Sequence, residues 1–179
     1  MNKNLVLVFC LLLVGSCART FDYVPAEYTT SDSGVEGLQI SGYVEVSSEQ
    51  PESSCKTQQI STLETFHPKH WYTKFYLNGN LCSIARQLSW NLQSLIKYEN
   101  TYTSSQLKSI RVRIVRFGFE GAEYGYELGN GNGGIVGISA REARSEWGWG
   151  GRLGELNANL YLGAIKILKQ DNVISYLAE

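Results

Sequence analysis

The chain begins with an unbroken apolar run, Leu5–Val14. Beyond about residue 35 the pattern changes to short alternating stretches and two longer ones of helical period. From Leu38 the period is two: Leu38, Ile40, Val44 and Val46 share one side, and Gln39, Ser41, Tyr43 and Glu45 the other. This predicts a half-buried strand. A polar loop containing Pro51 follows, then a second short strand over Ile60–Phe66 that ends at Pro68 of "HPKH", because proline lacks a ladder donor. "WYTKFYL" alternates again, with Trp71, Phe75 and Leu77 on one side, as a short strand or a lead-in to a helix.

Asn80 is a good N-cap. After it Leu81, Ile84, Ala85, Leu88, Leu92, Leu95 and Ile96 recur at spacings of three and four, which predicts a helix to about Tyr98. "SIRVRIVRFGFEG" predicts a strand with Ile110, Val112 and Ile114 on one face and Arg111 and Arg113 on the other. The apolar set then changes phase to Val115, Phe117 and Phe119. Such a flip marks a bulge near Ile114 and Val115, or a strand buried on both faces. "GNGNGG" predicts a hairpin turn, and "GISAREARSEW" is read as continuing the returning strand. A last helix is expected from about Leu153 to Gln170, with "VISYL" as an extra turn or small strand. The fold class expected is α+β: one domain, a mainly antiparallel sheet, and two helices on one face.

The apolar run is too short to span a bilayer, which takes roughly 20 residues. With Lys3 before it and Gly15 and Ser16 after it, it reads as a secretory signal. Val14-Gly15-Ser16-Cys17 resembles the lipobox of bacterial lipoproteins, in which cleavage falls before a cysteine that carries a diacylglyceryl thioether. The resemblance implies that Cys17 is lipidated, with palmitate-type acyl chains, and that the protein is membrane-anchored. The other reading is a plain secreted protein with an ordinary cysteine here. Ala18, where an Asp would imply inner-membrane retention, implies sorting to the outer membrane. The expected organisation is a signal peptide at 1–16, a lipidated N-terminus and tether at 17–34, and a globular domain at 35–179.

Loss of residues 1–16 removes one of sixteen basic residues and none of the seventeen acidic ones, leaving a net charge of −2. No strong field favours nucleic acid. Once Cys10 is removed and Cys17 acylated, Cys55 and Cys82 remain. In an oxidising compartment two such cysteines most often pair. The bond would close a loop of about 27 residues and contribute about 3 kcal/mol on chain-entropy grounds. The alternatives are two reduced buried thiols, or a reactive Cys82 activated by the helix N-terminus.

Other motifs carry less. "GNGNGG" lacks the lysine and hydroxyl of a phosphate loop and no helix is expected after it. "RFGFEG" is an incomplete RNA-binding pattern, and Phe117 and Phe119 are simpler as core. His67 and His70 are too few for a typical zinc site. Glu120 with Glu123 and Glu142 with Glu146 read as solvated carboxylates. Neither metal nor cofactor is expected. Lys108, Arg111, Arg113 and Arg116 form a basic stripe, with cross-strand pairing to Glu123 and Glu127 as the simpler reading. Trp147 and Trp149 in "WGWGG" are candidates for an interface, or caps for the sheet end. Arg111 and Arg113 are candidates for contact as well.

The order of "ARQLSWNLQSL", "LKSIRVRIVRF" and "LNANLYLGAIKIL" is similar to that of small accessory lipoproteins of the Gram-negative envelope, including auxiliaries of lipid transport. That likeness implies a non-enzymatic, outer-membrane-anchored accessory protein with an envelope protein partner, on the periplasmic side. The alternative is a surface-exposed ligand- or host-binding lipoprotein.

Overall fold

The computed structural model describes residues 17–25, 35–44, 55–67, 70–99, 102, 106–146 and 151–179. Their elements run β1 (Cys17–Tyr23), β2 (Leu38–Tyr43), β3 (Gln58–His67), β4 (His70–Gly79), α1 (Leu81–Glu99), β5 (Lys108–Gly118), β6 (Gly121–Leu128), β7 (Gly133–Ser139), α2 (Ala140–Glu146), α3 (Gly151–Leu168) and α4 (Asp171–Ala178). The class is α+β.

The finer architecture differs from the expected one. There are two mixed sheets, ordered β1-β4-β3 and β2-β5-β6-β7, in place of one mainly antiparallel sheet. β1 runs parallel to β4, and β2 parallel to β5. Four helices are present among the described residues, in place of two. The misreading has a physical cause. Hairpins leave a local mark at their turns, whereas parallel pairs join segments far apart in sequence and leave none.

α1 forms as its period requires. Asn80 Oδ1 accepts the Ser83 N–H at 3.1 Å, and Ile84, Ala85, Leu88, Leu92, Leu95 and Ile96 are buried. The stripe packs against β2, β5 and α3. α3 covers β6 and β7, so both long helices lie on the same face of the four-stranded sheet. That face presents Ile110, Val112 and Ile114 of β5, Tyr124, Tyr126 and Ala122 of β6, and Val136 and Ile138 of β7, all buried. Tyr124 is fully enclosed, its ring lying where a Cβ on Gly163 of α3 would be. Burial, and secondarily the nearby Tyr23, push its phenol well above the ordinary tyrosine value.

β5 changes phase at a bulge. Ile114 is opposite Tyr124, but Arg116, two residues on, is opposite Glu123. Val115 is the extra residue, and it is 44% exposed, so it does not join Phe117 and Phe119 in the core. The bulge returns Phe117 to the inner face and leaves Arg116 on the outer one.

The three-stranded sheet meets this far end of β5 through aromatic rings. Phe21 of β1 lies 5.7 Å from Phe119 and 5.9 Å from Phe75 of β4, and Tyr23 lies 5.4 Å from Phe117. The Arg152 guanidinium of α3 sits 4.7 Å over the Phe75 ring. Tyr23 donates its hydroxyl to Asn157 Oδ1 at 2.7 Å.

Three local readings change as well. Cys17–Tyr23, expected as the start of a tether, is a paired strand, while 26–34 lie outside the described residues. "WYTKFYL" belongs wholly to a strand, β4, and "VISYL" to helix α4. "GISAREARSEW" does not prolong β7; it turns into α2 at Ala140. Ser139 Oγ accepts the Glu142 N–H at 3.3 Å, and Glu142 Oε2 accepts the Ser139 N–H at 2.8 Å. This reciprocal capping box starts the helix.

Candidate functional site

Two features on the outer side of the molecule are candidates: the charged face of β5 and β6, and a cleft where the two sheets diverge.

On the outer face, Arg111, Arg113 and Arg116 project from β5. Arg111 Nη1 lies 3.4 Å from Glu127 Oε2, and Arg116 Nη2 lies 3.1 Å from Glu123 Oε1. Arg111 also stacks on Tyr43 of β2, 4.3 Å from the ring centre. The Arg113 side chain lies across Gly125 of β6. These are the cross-strand pairs that alternation allows, each contributing roughly 0.2–1 kcal/mol. Arg111 and Arg116 keep about half of their side-chain surface exposed. Their charge is already matched by a carboxylate, so the face is not an anion trap. It is an array of guanidinium, carboxylate and phenol groups, of which the arginine and tyrosine are the types enriched at protein contacts.

Lys108 departs from the basic stripe. It sits on the inner face, 5% exposed, and its Nζ donates to the Tyr176 carbonyl in the last turn of α4. The Tyr176 ring lies 5.1 Å from the ammonium. The lysine thus caps a helix C-terminus, where positive charge is favoured.

The cleft, about 330 Å³, lies between the start of β3 and the bulge of β5. Gln58, Gln59 and Ile60 form one wall, Val115 and Phe117 the other, and Leu81 closes the end. Gln59 Nε2 donates to Thr62 Oγ1, so its carbonyl oxygen remains as an acceptor. Beside the cleft Cys55 is bonded to Cys82, with Cα atoms 5.1 Å apart. Asn80 Nδ2 donates to the Cys55 carbonyl. Bond and amide together fix the approach to β3 against the first turn of α1.

The remaining predicted residues are placed as follows. Cys17 opens β1, with Thr73 as its Cα partner. His67 and His70 are backbone partners at the β3–β4 turn. Trp147 and Trp149 lie outside the described residues. "GNGNGG" is the β6–β7 hairpin turn, closed by Leu128 N–H to the Asn132 carbonyl at 2.7 Å. Glu142, read from sequence as an ordinary solvated carboxylate, is held down to a pKa of about 2 by Lys166 and the Ser139 donors. The sequence signal for it is Ser139-x-x-Glu142, the spacing of a capping box.

Comparison with known protein families, with functionally characterised proteins and with solved structures finds no match to this chain.

Proposed function

We propose that the protein is a lipid-anchored accessory component of a cell-envelope assembly, held in the outer membrane through Cys17 and acting by protein contact rather than catalysis. In this reading β1, from Cys17, and the elements from β2 onward form one globular domain on the periplasmic side. The observation that carries the contact role is the outer face, where Arg111, Arg116, Glu123, Glu127 and Tyr43 form a half-exposed array. The Cys55–Cys82 bond supports an oxidising compartment. With β1 beginning at Cys17, an acyl anchor there would hold the edge of the three-stranded sheet close to the bilayer.

The test is cross-linking of whole cells followed by capture of tagged full-length protein, with Cys17→Ala as control. A stoichiometric envelope partner, lost with Cys17→Ala and weakened by Arg111→Glu, is the expected result. A protein that remains anchored yet captures nothing would overturn the accessory role. The inter-sheet cleft favours a second reading, a ligand- or host-binding lipoprotein. Cleavage by protease added to intact cells, showing outward display, would move the assignment to it.

A further inference from the structure

β7, Gly133–Ser139, with the sequence GGIVGIS, is one of the two edges of the four-stranded sheet, and among the described residues no strand pairs with its outer side. It carries no charge and no proline, the usual protections of an exposed edge. Its hydrogen-bond pattern is fixed at both ends. Leu128 N–H bonds the Asn132 carbonyl, and Ala140 N–H bonds the Glu120 carbonyl. In an antiparallel ladder the bonded pairs alternate. Gly134, Val136 and Ile138 therefore turn their main-chain groups toward β6. Gly133, Ile135, Gly137 and Ser139 turn theirs outward.

The outward groups at one end are already engaged. Ser139 N–H bonds Glu142 Oε2 at 2.8 Å, and the Gly137 carbonyl accepts Lys166 Nζ at 2.9 Å. Among the described residues nothing engages those of Gly133 and Ile135, nor the Gly137 N–H. Ile135 is 60% exposed in the middle of this stretch. On the same face Gly137 has room for a side chain, since a Cβ there would meet only Glu123 Cγ, at 3.9 Å. The protomer's own packing does not require that glycine. Glycine within a strand commonly marks the close approach of another backbone.

We propose that β7 is a self-association edge, on which two copies of the chain pair antiparallel about a two-fold axis at Ile135 and join their sheets into one of eight strands. In this register Ile135 exchanges both of its main-chain bonds with the partner's Ile135. Gly137 N–H meets the carbonyl of the partner's Gly133. Gly133 N–H meets the second lone pair of the carbonyl of the partner's Gly137, whose first is used by lysine. Each open group of the edge thereby finds a partner in its own symmetry copy. The argument for a second copy over an unrelated strand is this self-complementarity: the open groups are centred on Ile135, with glycines two positions away on either side. The pairing is independent of the role proposed above. A strand edge of this length buries less than the roughly 1,200 Å² of a stable interface, so association depends on concentration.

The test is disulfide trapping of the full chain in the cells that produce it. A bonded antiparallel pair has Cα atoms about 5.5 Å apart, within reach of a disulfide. Under mild oxidation Ile135→Cys is expected to give a covalent homodimer, absent from the native chain and from Val115→Cys. In sedimentation of the purified full chain, the mass should rise with concentration, and Ile135→Lys should abolish the rise. Absence of the Ile135→Cys homodimer, equal trapping at Val115→Cys, an adduct of Ile135→Cys with a different protein, or a concentration-independent monomer would each overturn the proposal.

Discussion

Lys166 Nζ lies 2.6 Å from Glu142 Oε1, and the same ammonium donates to the Gly137 carbonyl on β7. One lysine of α3 therefore fixes both the start of α2 and the end of the neighbouring strand. The Lys166 hydrogen bond first, and the Ser139 donors after it, hold the Glu142 pKa down to about 2.

A depressed carboxylate pKa stabilises the fold above the unfolded value and loses that contribution as acid protonates the folded form. The loss here runs from about pH 4.5 down to about pH 2. The pair is exposed, so the contribution is under about 1 kcal/mol. Glu142→Gln should lower the thermal midpoint at pH 7, and the gap to the native chain should close as the pH approaches 2. A gap unchanged across that range, measured by circular dichroism, would contradict the assignment.

Lys108 is enclosed with its ammonium on the Tyr176 carbonyl. Lys108→Ala removes that donor and leaves the carbonyl unsatisfied, at a cost of about 1–3 kcal/mol. The damage should be local. Hydrogen exchange should speed first in α4, with the α1 amides little changed.

Gly163 leaves room for the Tyr124 ring, whose nearest carbon is 2.2 Å from the place a Cβ would occupy. Gly163→Ala should therefore destabilise by about 1–3 kcal/mol through overpacking, despite the better helix propensity of alanine. Denaturant titration measures this directly. A stabilised Gly163→Ala variant would show that α3 and β6 separate at no cost.

Cys55→Ser with Cys82→Ser, or reduction of the native chain, should cost about 3 kcal/mol by the loop-closure argument. Because the bond anchors the approach to β3 at the start of α1, exchange protection should fall at both sites together. Loss at only one of them would mean that the bond does not couple the two elements.

The elements legible in the sequence were those whose signal is local. α1 was visible from its cap and stripe, the β6–β7 hairpin from its glycines and asparagines, and the bulge from the phase change after Ile114. β1 was not, because Phe21 and Tyr23 acquire their partners only through Phe75, Phe117 and Phe119, far along the chain. Charge alone groups Lys108 with the arginines, whereas strand alternation places it with Ile110 on the inner face. Of the candidate site, the Arg–Glu pairs followed from alternation. The cleft did not, since it depends on how two sheets diverge.

The parallel pairing of β1 with β4 has a consequence for the order of assembly. Cys17 is matched with Thr73, and between them lie β2 and the whole of β3. A chain that emerges N-terminus first exposes β1 long before its neighbour exists. The β3–β4 hairpin, being local, closes sooner. The first strand in the chain is thus the one added last to its sheet, and until then its aromatic residues Phe21 and Tyr23 lack the partners they have in the fold.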